Sequence, residues 1–456
     1  MYCSQLGESM ADPAHAVVIG ASVAGLLAAA ALSEAYPRVT VYERDSLPAE
    51  PGHRRGVPQS RQLHALHARG AQALDELLPG FRSDMIAAGG VVADTQGDTH
   101  WYLDDFLLKP AHSGLEGIAL SRPVLEWLIR SRVAKLPGLT ITDATDVAGL
   151  ATVDGRVTGV TVRAARTPDA VEETVPADLV VDAAGRGSRT PAWLAELARP
   201  VPEVTRLRAG VTYVCRDYAR DQKQLDGRFG SLVTPYPGKP RGGAVLRQEG
   251  DRFVVLLAGM VGTEPPVDEE GLLAYADSLA CPDLASVMRE SAPLSEPVKY
   301  TYPESTRYHY ESLNDYLAGL LVIGDAFSSF NPIYGQGITI AALEALALRG
   351  LLGGAPGAAG LERRYFRAAG KLVAEAWETS ASSDLRFPEV EGARRPGARL
   401  VNAYGEKFRA AASVDPALGK TFLRVANMID KPAKLLAPGT VIRVFRSAGK
   451  AVRAGG

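Results

Sequence analysis

The residues of this chain best suited to chemistry are small and acidic ones set at a few sharp turns. The first group is Gly20-Ala-Ser22-Val-Ala24-Gly25. A glycine-rich turn from strand to helix lets backbone N–H groups and the positive helix end approach a pyrophosphate, because no Cβ blocks the way. Ser22 stands where a second glycine is usual, and its hydroxyl is placed to donate to a phosphate. Glu43 comes roughly twenty residues further on, where a carboxylate accepts both hydroxyls of an adenosine ribose and repels the 2′-phosphate of NADP. A solvated glutamate at a strand end is the competing reading. Two later segments separate FAD from NAD. In Leu320-Leu-Val-Ile-Gly324-Asp325 a carboxylate sits at a strand end, placed to accept hydrogen bonds from a ribityl chain, which NAD lacks. In Phe330-Asn-Pro332-Ile-Tyr334-Gly335-Gln-Gly337-Ile338 a rigid proline precedes a glycine turn and a helix start, an array of N–H donors suited to the negative N1/C2=O edge of a reduced flavin.

The elements that must position these residues follow from the local pattern. His15–Ile19 is a short apolar run, the Ala/Leu-rich stretch to Ala35 has strong helix propensity, and Arg38–Tyr42 is a second β-rich run, so 15–43 is a βαβ unit. Helices are predicted over 60–78, over 121–136 from the cap Ser121 and Pro123, and over Gly337–Leu352. Strands at Leu139–Asp143, Arg156–Arg163 (after an Asp154-Gly155 turn) and Asp178–Asp182 are expected to extend the nucleotide-binding sheet. The last of these runs into Gly185-Arg-Gly187-Ser188, another glycine-rich turn. From about Arg208 to Gly262, strands such as Gly210–Arg216 and Arg252–Ala258 alternate with Gly/Pro turns and indicate a separate antiparallel module. After Gly360 the chain reads as helical, ending in a basic segment, Arg443–Arg453, taken as a solvated helix face in preference to a membrane-docking one.

Composition narrows the function classes. At 456 residues the chain exceeds the roughly 250–300 at which a single core stops growing. A net charge of -2, from 50 basic and 52 acidic residues without long blocks of one sign, argues against a nucleic-acid partner. Cys3, Cys215 and Cys281 lie far apart, lack metal or dithiol spacing and read as free thiols in a reducing cytoplasm. No metal site, integral membrane contact or secretory signal is expected.

Taken together, the turns resemble those of the FAD-dependent monooxygenases of the para-hydroxybenzoate hydroxylase group, over about residues 15–355. The resemblance implies that Asp325 holds the ribityl chain, that Pro332 sits beside the isoalloxazine and that Gly335 and Gly337 bind its O2 edge. It also implies an arginine near the pyrophosphate, matched by Arg54 or Arg55, and one opening a helix, matched by Arg122. Ala24, Arg44 and Ile338 adjoin these positions and complete the expected FAD-binding set. A narrower likeness, carried by Arg54-Arg-Gly-Val-Pro-Gln59-Ser-Arg61-Gln-Leu-His64-Ala-Leu and by Gly324–Gly337, is to an actinobacterial branch that includes polyether-polyene epoxidases. That branch also resembles decalin-forming flavoproteins of spirotetronate pathways, which hold FAD but catalyse a cycloaddition without net redox change.

The fold implied is α/β: a Rossmann-like FAD-binding domain of the glutathione-reductase type, an inserted antiparallel substrate domain and a helical C-terminal region. The expected boundaries are a disordered extension over 1–14, an FAD-binding domain of 15–95, 115–205 and 300–355, a substrate domain of 96–114 and 206–299, and the helical region 356–456. The activity implied is oxygen transfer, by epoxidation or hydroxylation through a C4a-hydroperoxyflavin, onto an apolar polyketide- or terpenoid-like intermediate of natural product biosynthesis. The alternative is a non-redox cyclase with FAD as a structural part. A second dinucleotide turn is missing, so electrons would come from transiently bound NAD(P)H or from a flavin reductase. Oxygen transfer of this kind needs no protein nucleophile, and His64 and Tyr334 are the catalytic candidates. His64 and His67, if helical, lie one turn apart, and hydrogen-bonded structural histidines are the competing reading. Arg307-Tyr-His309-Tyr310 reads as a strand leading back to the nucleotide domain in preference to a cleft lining. The Trp-x-Trp-x-Ile-Pro signature of flavin halogenases is absent.

Overall fold

The computed structural model describes residues 14–167, 169–357 and 359–454. Apart from Ala14, the extension expected over 1–14 lies outside the described residues, as does Cys3. At the centre is a five-stranded parallel sheet in the order Leu320–Val322, Leu179–Asp182, His15–Ile19, Arg38–Tyr42, Leu139–Thr142. His15–Ile19 is buried along its whole length, as an inner strand of a sheet covered on both faces must be. The helix Val23–Ser33 follows it directly. Five of its eleven residues are alanine, and it is buried from Leu26 to Leu32 between the sheet and the helix Gly337–Leu352, where small side chains allow close approach.

The strand Arg156–Ala164 does not extend this sheet, contrary to expectation. It pairs antiparallel with Thr145–Val153 and Glu173–Pro176. The cause is the Asp154-Gly155 turn: both residues have positive φ, +48° and +75°, which matches the two-residue hairpin turn that forces antiparallel pairing. The helix predicted over 60–78 is also corrected. A single 3₁₀ turn, Pro58–Arg61, leads to an extended pair, Ala65–Leu66, and the helix runs only from Ala68 to Leu77. Ala65 and Leu66 pair with Ala119 and Ile118, and Leu63 N–H bonds the Cys215 sulfur, so tertiary partners outweigh local helix propensity.

The antiparallel module is a seven-stranded sheet running from Val298–Tyr302 through Val211–Ala219, Arg252–Gly259, Arg241–Gln248, Gly230–Val233 and Thr99–Leu103 to Phe106–Leu107. It therefore continues past position 300. One contact, between Gly230–Val233 and Thr99–Leu103, is parallel. The helices Glu269–Asp277 and Asp283–Glu290 close a core on one face of this sheet. The C-terminal region consists of the helices Leu361–Asp384, Ala398–Ala412, Pro416–Ala426 and Pro438–Ala454, of which the last three share a core with Leu103, Leu108 and Leu115. No helix among the described residues is long and apolar enough to cross a membrane, and no group of three or more His, Cys, Asp or Glu is placed to hold a metal.

Candidate cofactor and substrate cavity

The turns picked out in the sequence meet at one cavity of about 1430 Å³, larger than the roughly 300–1,000 Å³ of a single small-molecule site. Gly20, with φ at +101°, makes the turn out of the first strand. A Cβ on Gly25 would lie 1.8 Å from the Gly20 carbonyl oxygen, so this position admits only glycine, although Gly25 lies behind the cavity wall. Gly20, Ser22 and Ala24 line the cavity, and the helix starting at Val23 has no side-chain cap. Its first N–H groups therefore face the cavity unpaired by any capping side chain.

Glu43 and Arg44 line the same wall. The Glu43 carboxylate is already largely used: Oε2 accepts from Ala21 N–H (2.8 Å) and lies 3.1 Å from Arg54 Nη1, while Oε1 accepts from Asp45 N–H (2.9 Å). Of the four lone-pair sites of a carboxylate, one remains on Oε1, enough for one ribose hydroxyl and not for the two expected. Arg54 is buried and lines the cavity, whereas Arg55 is exposed and away from it.

The residue that organises this wall is Glu126, which sequence reasoning missed. Its Oε1 accepts from Arg54 Nε at 2.7 Å, and its Oε2 accepts from Arg122 Nε and Nη2, both at 3.3 Å. Ser22 Oγ also donates to Glu126 Oε2 (3.2 Å) and accepts from Arg122 Nη2 (2.8 Å). The Ser22 hydroxyl expected to donate to a phosphate thus points to Glu126 instead. The readable signal was the Arg122-x-x-x-Glu126 spacing, which puts both side chains on one helix face.

Asp325 follows Gly324, whose positive φ (+66°) and close approach to the first helix, with a built Cβ only 2.6 Å from Ala24 Cβ, set the turn against that helix. Asp325 lines the cavity, and no hydrogen bond reaches its carboxylate from the described residues. Desolvation raises its pKa, and Arg122 and Arg186 oppose that rise. Beneath it, Glu344 is fully buried in the middle of the helix Gly337–Leu352, accepting from Gly324 N–H at 2.8 Å. Burial pushes Glu344 up to about 8, the Gly324 bond opposes this and Asp325 adds to it.

Pro332, Tyr334, Gly335, Gly337 and Ile338 form the next stretch of wall. Gly335 turns at φ +64°, the helix from Gly337 has no side-chain cap, and a Cβ on Gly337 would meet nothing closer than Asp325 Oδ1 at 4.0 Å. A ligand edge can therefore come close to this backbone. Behind the turn, Tyr334 Oη and Asn331 Nδ2 donate to Asp384 Oδ1 at 2.7 and 2.9 Å. Burial pushes Asp384 up to about 6, against those two bonds, and burial holds the Tyr334 phenol well above its ordinary range. Tyr334 therefore stays protonated and braces the turn. Asn331 and Asp384 also escaped the sequence reading.

His64 and His67 do line the cavity, but from an extended segment, since His67 caps the helix at Ala68. Burial lowers both to about 4, with Arg122 adding to the shift at His64. Both are neutral imidazoles near pH 7. Asp182 shapes the Gly185–Ser188 turn, accepting from Ala184 N–H (2.8 Å), Ser188 Oγ and Thr190 Oγ1 (2.5 Å each). Arg307-Tyr-His309-Tyr310 lies off the cavity, with Ser305–Tyr308 in a three-stranded sheet beside Val204–Leu207 and Ser328–Ser329.

This architecture is the FAD-binding monooxygenase fold with a helical C-terminal region. The flavin-dependent brominase Bmp2 superposes with a TM-score of 0.66 at 15% identity, over 96% of this chain and 100% of that one. The Diels-Alderase PyrE3 of pyrroindomycin biosynthesis matches at 0.63 and 17% identity (91% and 80%), and OxyS anhydrotetracycline hydroxylase from Streptomyces rimosus at 0.61 and 19% (91% and 76%). By sequence the chain belongs to the family of Protein Rv3254 of Mycobacterium tuberculosis (strain ATCC 25618 / H37Rv), with 34% identity over 434 residues, 91% of this chain and 90% of that protein. No protein-family model matches the chain.

Proposed function

We propose that the chain is an FAD-dependent monooxygenase acting on a small, largely apolar molecule. The observation that carries this reading is that two helices without side-chain caps, starting at Val23 and Gly337, open their N-termini into one cavity, with the unpaired carboxylate of Asp325 on the same wall. The first start suits a pyrophosphate, Asp325 a polyol, and the second the anionic edge of a reduced flavin. The residues fit the cofactor: Gly20 and Gly25 hold the turn, Glu43 takes one ribose hydroxyl, and Arg44, Arg54 and Arg122 offset the phosphate charge. Bound FAD would supply oxygen activation, with electrons from NAD(P)H or a flavin reductase.

The chain's own residues bind, orient and exclude water. Tyr334, Asn331 and Asp384 fix the turn after Pro332, and His64 and His67 present neutral imidazoles. The volume beyond the cofactor walls accommodates the substrate beneath the seven-stranded sheet. The test is turnover of a biosynthetic extract under 18O2 with reductant, and in parallel without oxygen or reductant. Label in the product is the expected result. Full turnover without either, to a product isomeric with its substrate, would overturn the proposal in favour of a cyclase like the Diels-Alderase neighbour.

A further inference from the structure

At its helical end the cavity is less apolar than its size suggests. Asp104, in the turn after the strand Thr99–Leu103, is chelated by Arg386, whose Nη1 donates to Oδ1 at 3.1 Å and whose Nη2 donates to Oδ2. A second guanidinium, Arg409 on the helix Ala398–Ala412, brings Nε to 2.7 Å from Asp104 Oδ2, outside hydrogen-bond geometry. Arg409 Nε and Nη2 are thus buried without a hydrogen-bond partner among the described residues. All three side chains line the cavity and are mostly buried, at 19%, 14% and 11% side-chain exposure for Arg386, Arg409 and Asp104. Two cations share one carboxylate, and Glu406, the other acid near Arg409, is exposed.

On the same wall Arg394 spends its donors on the carbonyls of Leu385, Phe387, Pro388 and Val390, and Arg395 is neutralised by Glu378. Desolvation and then the like charge of Arg386 lower Arg409 to about 10, against the opposing pull of Asp104 and Glu406. With Nε and Nη2 closed off, Arg409 faces the cavity through Nη1, a charged donor with no hydrogen-bond partner among the described residues, and a ligand can complete that pairing. Around the cluster the lining is apolar: Trp101, Leu103, Phe408, Phe422 and Leu435.

We propose that Arg409, backed by the Asp104–Arg386 pair, anchors a carboxylate at one end of an otherwise apolar substrate. This rests on the reading of the cavity as a substrate site. A carboxylate fits better than a phosphate monoester because the Asp104–Arg386–Arg409 cluster carries one net positive charge, which a monoanion neutralises. The anionic end is then held at the helical region while the apolar body extends towards the turn after Pro332.

The test uses the full-length protein loaded with FAD and titrated calorimetrically, below micellar concentration, with straight-chain carboxylic acids of eight to sixteen carbons, their primary amides and the alkyl phosphates of the same lengths. The expected result is that at least one acid binds about 10- to 100-fold more tightly than its amide, the range of a charge-assisted pair. Arg409→Gln should abolish that preference, while Asp104→Asn, which adds to the positive surplus, should keep or strengthen it. Circular dichroism and flavin content establish that each variant is folded. Equal binding of acid and amide, an unchanged preference in Arg409→Gln, or tighter binding of the alkyl phosphate would each overturn the assignment. Failure to take up FAD would instead sink the cofactor reading, because the acid-over-amide comparison can be run on the protein alone.

Discussion

Arg54 and Arg55 are neighbours of identical chemistry that the fold treats in opposite ways. Arg54 is locked between Glu43 and Glu126 with 3% side-chain exposure, and Arg55 faces solvent. Removing one partner of a buried ionic network leaves uncompensated charge, so Arg54→Ala is expected to lower unfolding free energy by about 3–5 kcal/mol. Arg55→Ala should stay within about 0.5 kcal/mol of wild type. Denaturant titrations of the two variants check this, and equal effects would remove Arg54 from its assigned place. At this scale the sequence revealed which residue types matter but not what each one touches. Glu43 was legible as a candidate ribose ligand at a strand end, yet the number of its lone pairs taken by Ala21, Asp45 and Arg54 depends on backbone placement. Ser22 was assigned to a phosphate because Glu126, more than a hundred positions away, could not be seen beside it.

Among the elements, the helix Gly337–Leu352 carries an acid in its buried stretch. Glu344 has an ordinary pKa of 4.5, raised to about 8 in the folded chain. The folded state therefore binds the proton more tightly than the unfolded state. This contribution to stability is full below about 4.5, falls as pH rises towards 8 and is flat above it. Glu344→Gln should thus gain on wild type by roughly 1 kcal/mol per pH unit across that window. Thermal melts of both proteins between pH 5 and 9 measure it, and parallel melting curves across the window would show that Glu344 titrates normally. The helix itself was readable to the residue, from its glycine start to Leu352, because its propensity and its packing agree. The segment 60–78 was misread because Ala65–Leu66 is extended only through pairing with Ala119 and Ile118. Arg156–Ala164 was recognised as a strand but assigned to the wrong sheet, although its own turn, Asp154-Gly155, specified the hairpin.

For the whole molecule, the α/β plan with an antiparallel module and a helical end was legible from the order of turns and periodicities. The cavity was not, because its walls come from segments more than three hundred residues apart in sequence, from Gly20 to Arg409. In the C-terminal region Arg386, just past the helix Leu361–Asp384, and Arg409, on the helix Ala398–Ala412, give the cavity a charged end that the sequence did not single out. For the cofactor site proposed at the Gly20 turn, Glu43, Asp325 and the Pro332–Ile338 turn, the decisive measurement is to titrate the purified protein with FAD while following flavin absorbance and fluorescence. The expected result is saturable, non-covalent uptake of one FAD per chain, with Asp325→Ala weakening it by roughly 10- to 150-fold while circular dichroism stays unchanged. A protein that neither arrives with flavin nor takes it up, or an Asp325→Ala variant that binds FAD as tightly as wild type, would contradict it.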